Sequence, residues 1–181
     1  LTGHRNLWIN KLWLDKLGLK APETTDEFVE VLKSFRDGDP NGNGKPDELP
    51  MVVENVGSQR APVDQIAASW GLYPNMGYRL KMNNGKVEIY VTHEKWKEVL
   101  EYMNLLWEEK LLDQGLFSQT ADVALSKFNS EIAGVFGLSS DDLWSRYSND
   151  YIPLPPVKNR NGDPQVIGLG SPYGGPAMVI T

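Results

Sequence analysis

A chain of 181 residues, 40% hydrophobic and 23% charged, has the balance of one globular domain with a real core. Its formal net charge of -6 argues against a general phosphate-backbone binder, which needs clustered Lys and Arg, and no apolar run reaches the length of a membrane-spanning helix. The absence of cysteine excludes a zinc–thiolate site, a disulfide scaffold and a cysteine nucleophile.

The first residue is Leu1, with no hydrophobic leader, so the expectation is a processed chain or an excised piece of a longer one. The opening stretch RNLWINKLWLDKLGLK reads as a helix, with Trp8, Ile9, Leu12, Trp13 and Leu17 as its apolar face. Gly18 is placed for a left-handed C-terminal cap, and Leu19 for the apolar contact that accompanies one. Thr24 and Glu27 form a capping box, and Phe28, Val31, Leu32 and Phe35 continue a second helix to about Arg36. The acidic stretch DPNGNGKPDELP follows, then LPMVV, which reads as a short buried strand.

A further helix is expected from Pro62 to Trp70. YRLKMNNGKVEIYV reads as a hairpin around Asn83-Asn84-Gly85. Thr92 is placed to cap a helix whose stripe is Trp96, Val99, Leu100, Met103, Leu106 and Trp107. Another helix over Asp122 to Asn129 leads into EIAGVFG, a buried strand; SSDDLWSRY looks like a helix start, YIPLPP is extended, NRNGDP a turn and AMVIT a strand. The class is α/β, with a helix-rich α+β arrangement as the variant: a short central sheet flanked by helices, plus a β-hairpin.

The stretch beginning at Asp39 matches the calcium template D-x-[DN]-x-[DN]-G. Asp39, Asn41 and Asn43 fall at positions one, three and five, Gly44 at six, Lys45 at seven with its carbonyl, and Asp47 at nine. All are hard oxygen donors. The template fails at position twelve, which is Pro50; Glu48 is the substitute for the missing glutamate. Because Pro50 and LPMVV favour a strand over a second helix, the arrangement is helix–loop–strand. A surface turn is the plain alternative, since Asp, Asn, Gly and Pro are common turn residues, but four oxygen positions with a correctly placed glycine favour Ca²⁺. With no second helix to swing, its role is expected to be structural.

WLDKLGLKAPETTDEFVEVLKSF, DPNGNGKPDELP, YMNLLWEEKLLDQGL and PPVKNRNGDP, in that order, resemble the extracellular solute-binding proteins of bacterial ABC importers. The resemblance is to the sugar and oligosaccharide type (family 1), in its calcium-carrying lipoprotein subgroup, and it spans nearly the whole chain. It implies one lobe, residues 1–181, of a longer bilobal periplasmic-binding-protein-like fold. It also implies calcium held by Asp39, Asn41, Asn43, Asp47, Glu48 and the Lys45 carbonyl, remote from a sugar cleft. The partners it implies are a carbohydrate or other small solute and a membrane permease, with no nucleic acid. The protein is expected to be monomeric and extracytoplasmic, as a cell-surface lipoprotein or in the periplasm.

Open α/β sheets bind ligands beyond the carboxyl ends of their strands. After EIAGVFG come Ser139, Ser140, Asp141, Trp144, Arg146 and Tyr147; after LPMVV come Glu54, Asn55, Ser58, Gln59 and Arg60. Flat aromatics suit sugar faces and planar polar groups suit hydroxyls, which selects Trp144, Arg146 and Tyr147, with Trp70 and Tyr73 as a second candidate. Most of the six Trp are expected in the core.

Enzyme signatures are weak. The acid pairs Asp141-Asp142 and Glu108-Glu109 suit solvated helix faces, His4 and His93 belong to no catalytic motif, and GLGSPYGGP precedes a strand, not the helix that a phosphate loop requires. No catalytic residue is assigned. A non-catalytic binding lobe ranks first, ahead of a carbohydrate-active enzyme fragment and a dockerin-type calcium module, which expects a duplicated loop.

Overall fold

The computed structural model describes residues 6–53, 62–72, 80–83, 86–138 and 150–161. In chain order the elements are β1 (Asn6–Asn10), α1 (Lys11–Lys16), α2 (Thr25–Asp37), β2 (Leu49–Val52), α3 (Pro62–Ile66) with a 3-10 turn over Ala67–Trp70, and β3 (Leu80–Asn83). Then come β4 (Lys86–Ile89), α4 (Glu94–Glu108), α5 (Ala121–Asn129), β5 (Ala133–Leu138) and β6 (Tyr151–Leu154). β3 and β4 form the expected hairpin; the other four strands form one sheet in the order β2-β5-β1-β6.

β2 runs parallel to β5, and β1 lies antiparallel to both β5 and β6. Strands β2, β5 and β6 therefore share a direction, and their carboxyl ends lie at one edge of the sheet. Successive side chains point to opposite faces. Met51 and Val135 join a core with Phe28, Leu32, Phe35, Trp96 and Leu106, so α2 and α4 pack on that face. Val52 and Phe136 join Ala124, Phe128 and Tyr151, so α5 covers the other. Phe128 stacks at 4.7 Å from Phe136 and 4.9 Å from Tyr151. The result is a helix–sheet–helix α/β layer structure.

The opening segment departs from the helical expectation. Residues 6–10 are β1, the strand between β5 and β6, with Leu7 and Ile9 buried, and the helix starts only at Lys11. The apolar spacing was a composite: Leu7 and Ile9 repeat at two, and Leu12, counted in the helical stripe, is 53% exposed. Asn10 makes the junction by accepting a hydrogen bond from the Trp13 N–H at 3.1 Å, an N-cap that ends the strand and opens the helix. Gly18 at φ 67° ends α1 as expected. The Leu19 N–H donates to the Leu14 carbonyl at 2.8 Å and the Gly18 N–H to Asp15 at 3.2 Å, the two bonds of a Schellman cap.

The capping box of α2 is present in both halves. Thr24 Oγ1 accepts from the Glu27 N–H at 3.2 Å, and the Glu27 carboxylate accepts from the Thr24 N–H at 3.3 Å. Thr24→Ala leaves the Glu27 N–H without its partner and is expected to cost about 1 kcal/mol in urea unfolding; a shift of the midpoint equal to that of an exposed mid-helix Ala variant would contradict this. The start of α4 differs by one residue. His93, not Thr92, is the N-cap and accepts from the Lys95 N–H, while the Thr92 hydroxyl donates to the Ile89 carbonyl.

β2 is an edge strand, and its Pro50 fits that position because the missing N–H breaks no ladder there. The edge is closed by residues that belong to no named strand. Met51 bridges Leu112 in parallel, and the Met51 carbonyl accepts from the Asp113 N–H at 2.9 Å. The Val53 carbonyl accepts from Gln119 Nε2 at 2.7 Å. Gly134 of β5 sits beneath Phe35: a Cβ there would lie 2.4 Å from Phe35 Cδ2 and 2.8 Å from the Pro50 carbonyl oxygen.

Candidate functional site

The loop over 39–48 leaves the end of α2 at Gly38 and delivers the chain into β2 at Leu49. It turns tightly, with Asp39 at φ 46°, Gly42 at φ 74° and Gly44 at φ 72°. Aspartate is one of the few side-chain-bearing residues that tolerate this region. The Asp39 carboxylate organises the turn, accepting from the Asn43 N–H at 3.1 Å and the Gly44 N–H at 3.2 Å. On the outer side, Lys16 Nζ lies 3.4 Å from the Asp39 carbonyl oxygen.

Asn41 and Asn43 face Asp47. Asn41 Nδ2 donates to Asp47 Oδ1 at 3.0 Å, and Asn43 Nδ2 lies 3.1 Å from each Asp47 oxygen. These amide donors hold the Asp47 carboxyl below the usual carboxylate range. Glu48 is the opposite case. Burial pushes its carboxyl up, and the like charges of Asp39 and Asp47 add to the rise, against backbone N–H donors at Glu48 and Asn41 that lower it. The residue is only 8% exposed, and Oε1 has no hydrogen-bond partner. A buried carboxylate oxygen facing two further acids costs free energy unless a cation or proton meets it. That orphaned oxygen, with Asp39, Asp47, two amides and the Lys45 carbonyl on the same loop, fits a hard divalent cation. Among the described residues no group of three or more His, Asp or Glu side chains is gathered closely enough to hold an ion by those groups alone, so an ion here would need amide and carbonyl oxygens as well.

β2 runs from this loop to the opposite edge of the sheet, where the carboxyl ends of β2, β5 and β6 lie. A polar node missed in the sequence stands at that edge. Lys127 Nζ contacts Asp113 Oδ1 at 2.9 Å, Asp113 Oδ2 at 2.6 Å and Gln119 Oε1 at 2.9 Å. Gln119 in turn holds the Val53 carbonyl, the last described residue of that arm. The node joins α5, the 111–120 connection and β2, and no spacing pattern announces it.

Of the aromatic candidates, Trp70 is 7% exposed and packs at 5.3 Å from Tyr102, its indole N–H donating to Glu98 at 2.9 Å. Trp144, Arg146, Tyr147 and Tyr73 lie outside the described residues, as do the 54–61 segment, the Asp141-Asp142 pair and the C-terminal GLGSPYGGP and AMVIT stretches. Trp13 and Trp96 are buried in the core. Glu109 receives the Arg36 guanidinium on its carbonyl at 2.6 Å.

No family model matches the chain. It is 32% identical over 177 residues to the fructooligosaccharide ABC transporter substrate-binding protein FusA of Streptococcus pneumoniae, covering 96% of this chain and 32% of FusA. It is 36% identical over 103 residues to lipoprotein LipO of Bacillus subtilis, covering 56% of this chain and 20% of LipO. FusA solved with kestose superposes with a TM-score of 0.78 at 29% identity, over 89% of this chain and 33% of FusA. An EF-hand mutant of FusA with fructo-nystose gives 0.80 at 28% identity over the same shares. An extracellular solute-binding protein of Bifidobacterium longum subsp. infantis gives 0.79 at 30%, over 89% of this chain and 35% of that one. The chain thus spans about a third or less of the length of these relatives.

Proposed function

We propose that the chain, whose homologues are substrate-binding proteins of sugar ABC transporters, is part of a non-catalytic oligosaccharide-binding protein and forms about one lobe of it. The observation that carries this reading is similarity to FusA along 96% of the chain with the same fold. In such a protein the solute bridges two lobes, and its greater affinity for the closed state drives closure. The closed form then docks on a membrane permease, which places the protein outside the cytoplasm. The crevice is assigned to the carboxyl ends of β2, β5 and β6, with Trp144, Arg146 and Tyr147 following β5 in the sequence; Trp70 is the second candidate.

The 39–48 loop is a structural Ca²⁺ site in this reading. Asp39, Asn41, Asn43, Asp47 and Glu48 supply side-chain oxygens and Lys45 a carbonyl, and the bound ion supplies the positive charge that the buried Glu48 lacks. The EF-hand named for the FusA mutant supports the same assignment. The site stands at the amino end of β2, so it fixes the junction of α2 with the sheet and takes no part in solute contact.

Incubation with kestose and a panel of plant and microbial oligosaccharides tests the non-catalytic reading. The two-lobed protein containing this segment is expected to bind one of them without forming hydrolysis products, and the 181-residue segment alone to bind none measurably. Sustained glycan cleavage would overturn it.

A further inference from the structure

One row across the sheet carries an amide where its neighbours carry hydrocarbon. Leu154 of β6 stands opposite Leu7 of β1, and Leu7 opposite Gly137 of β5. Val53 follows Met51 by two residues, as Gly137 follows its partner Val135. Leu154, Leu7 and Val53 all belong to the core on the α2 and α4 face. Gly137 gives that row no side chain, and the end of Gln65, from α3, takes the space. A Cβ at Gly137 would lie 2.6 Å from Gln65 Oε1, 2.7 Å from Nε2 and 3.0 Å from Cδ. Gly137 is the next-to-last residue of β5, an inner strand of the sheet, so the amide lies over its carboxyl end. Gln65 is partly exposed there.

For packing alone the combination is a poor one. Glycine weakens a strand interior and often marks the close approach of another group, and an amide costs more to set on an apolar row than an aliphatic side chain does. Alanine at 137 with an aliphatic residue at 65 would fill the same row better. We propose that the Gln65 amide is a solute contact, meeting sugar hydroxyls at the carboxyl edge of the sheet, and that Gly137 lacks a Cβ so that the amide can lie there. The proposal rests on the oligosaccharide-binding reading above. A primary amide has two N–H donors and a carbonyl with two lone pairs. It can therefore hold a protein partner and still pair with a hydroxyl, as donor or as acceptor. Being neutral, it meets the solute without the desolvation of a charge.

The test uses the two-lobed protein containing this segment, titrated calorimetrically with kestose or with the panel member that it binds instead. Gln65→Leu is expected to weaken that affinity about tenfold, the worth of one neutral hydrogen bond, with a solute-free melting temperature no lower than that of the wild type. Gly137→Ala should weaken binding too, by pushing the flexible amide aside. In a Gln65→Ala background the same change should have no further effect on affinity, because the group it displaces is gone; this pair decides if Gln65→Leu does not fold. Wild-type affinity in Gln65→Leu, or a Gly137→Ala effect as large without the amide as with it, would overturn the contact. So would a loss of affinity matched by a fall in the solute-free melting temperature, which would mark Gln65 as structural. A wild-type protein that binds no member of the panel would overturn the binding reading itself, and the contact with it.

Discussion

Lys127→Met is expected to destabilise the chain more than any other single surface-accessible change. The Asp113 side chain is 4% exposed and that of Lys127 25%, so the substitution strands a buried carboxylate. Removing one partner of a buried pair typically costs 3–5 kcal/mol; with water able to reach the lysine end, about 2–3 kcal/mol is expected here. For a chain of this size that lowers the melting temperature by about 5–10 °C. The mechanism predicts its own rescue. In Asp113→Asn/Lys127→Met the amide oxygen still accepts the Gly115 N–H, now 2.9 Å from Asp113 Oδ1, and no charge is stranded, so the double variant should be more stable than Lys127→Met alone. Urea unfolding of the four proteins measures the coupling. Equal stability of the single and double variants would mean that the charge itself is not what the node protects.

Calcium should raise the melting temperature by a similar amount. An ion that binds only the folded chain stabilises it by about 2.7 kcal/mol at a free concentration one hundred times its dissociation constant, again about 5–10 °C. Glu48→Gln separates this effect from general stabilisation because it should act in opposite senses in the two conditions. With chelator the amide relieves a buried carboxylate with one unpartnered oxygen that two neighbouring acids repel, so stability should be unchanged or higher. With calcium the increment should largely vanish, since one of three formal charges is gone. A Glu48→Gln protein that keeps the full increment would remove Glu48 from the donor set.

The parts of the fold that were legible in the sequence are those governed by neighbours in the chain. The Thr24–Glu27 box, the Gly18 terminator, the LPMVV and AGVF strands and the 80–89 hairpin each follow from side chains within five or so positions of one another, and each stands where expected. β1 was hidden because a five-residue strand abuts a six-residue helix at Asn10. Two short periodicities joined there resemble one longer helical stripe. The shift of the α4 cap from Thr92 to His93 has a local cause too: the Thr92 hydroxyl is taken by the Ile89 carbonyl.

The candidate site divides in the same way. The proposed ion loop is contiguous, so its candidate donors, with Glu48 proposed in place of a residue at position twelve, all come from one short stretch of sequence. The direction of the Asn41 and Asn43 amides could not be read there, because it depends on which way Asp47 folds back across the turn. The Asp113–Gln119–Lys127 node was invisible. Its members come from an irregular connection and a helix, and only the packing of α5 on the sheet face and of the connection along the edge of β2 brings them together. Trp70 shows the limit of residue type as a guide: an aromatic that suits a sugar face is also good core material, and here its ring lies against Tyr102.

Isothermal titration of the chelator-treated chain with CaCl₂ tests the central claim most directly. Saturable binding of one ion per chain, lost in Asp39→Ala and in Glu48→Gln, is the predicted result. Absence of saturable heat at millimolar calcium (an order-of-magnitude ceiling, ~10⁻³ M, for sites of the extracellular type), or binding that survives both substitutions, would contradict it.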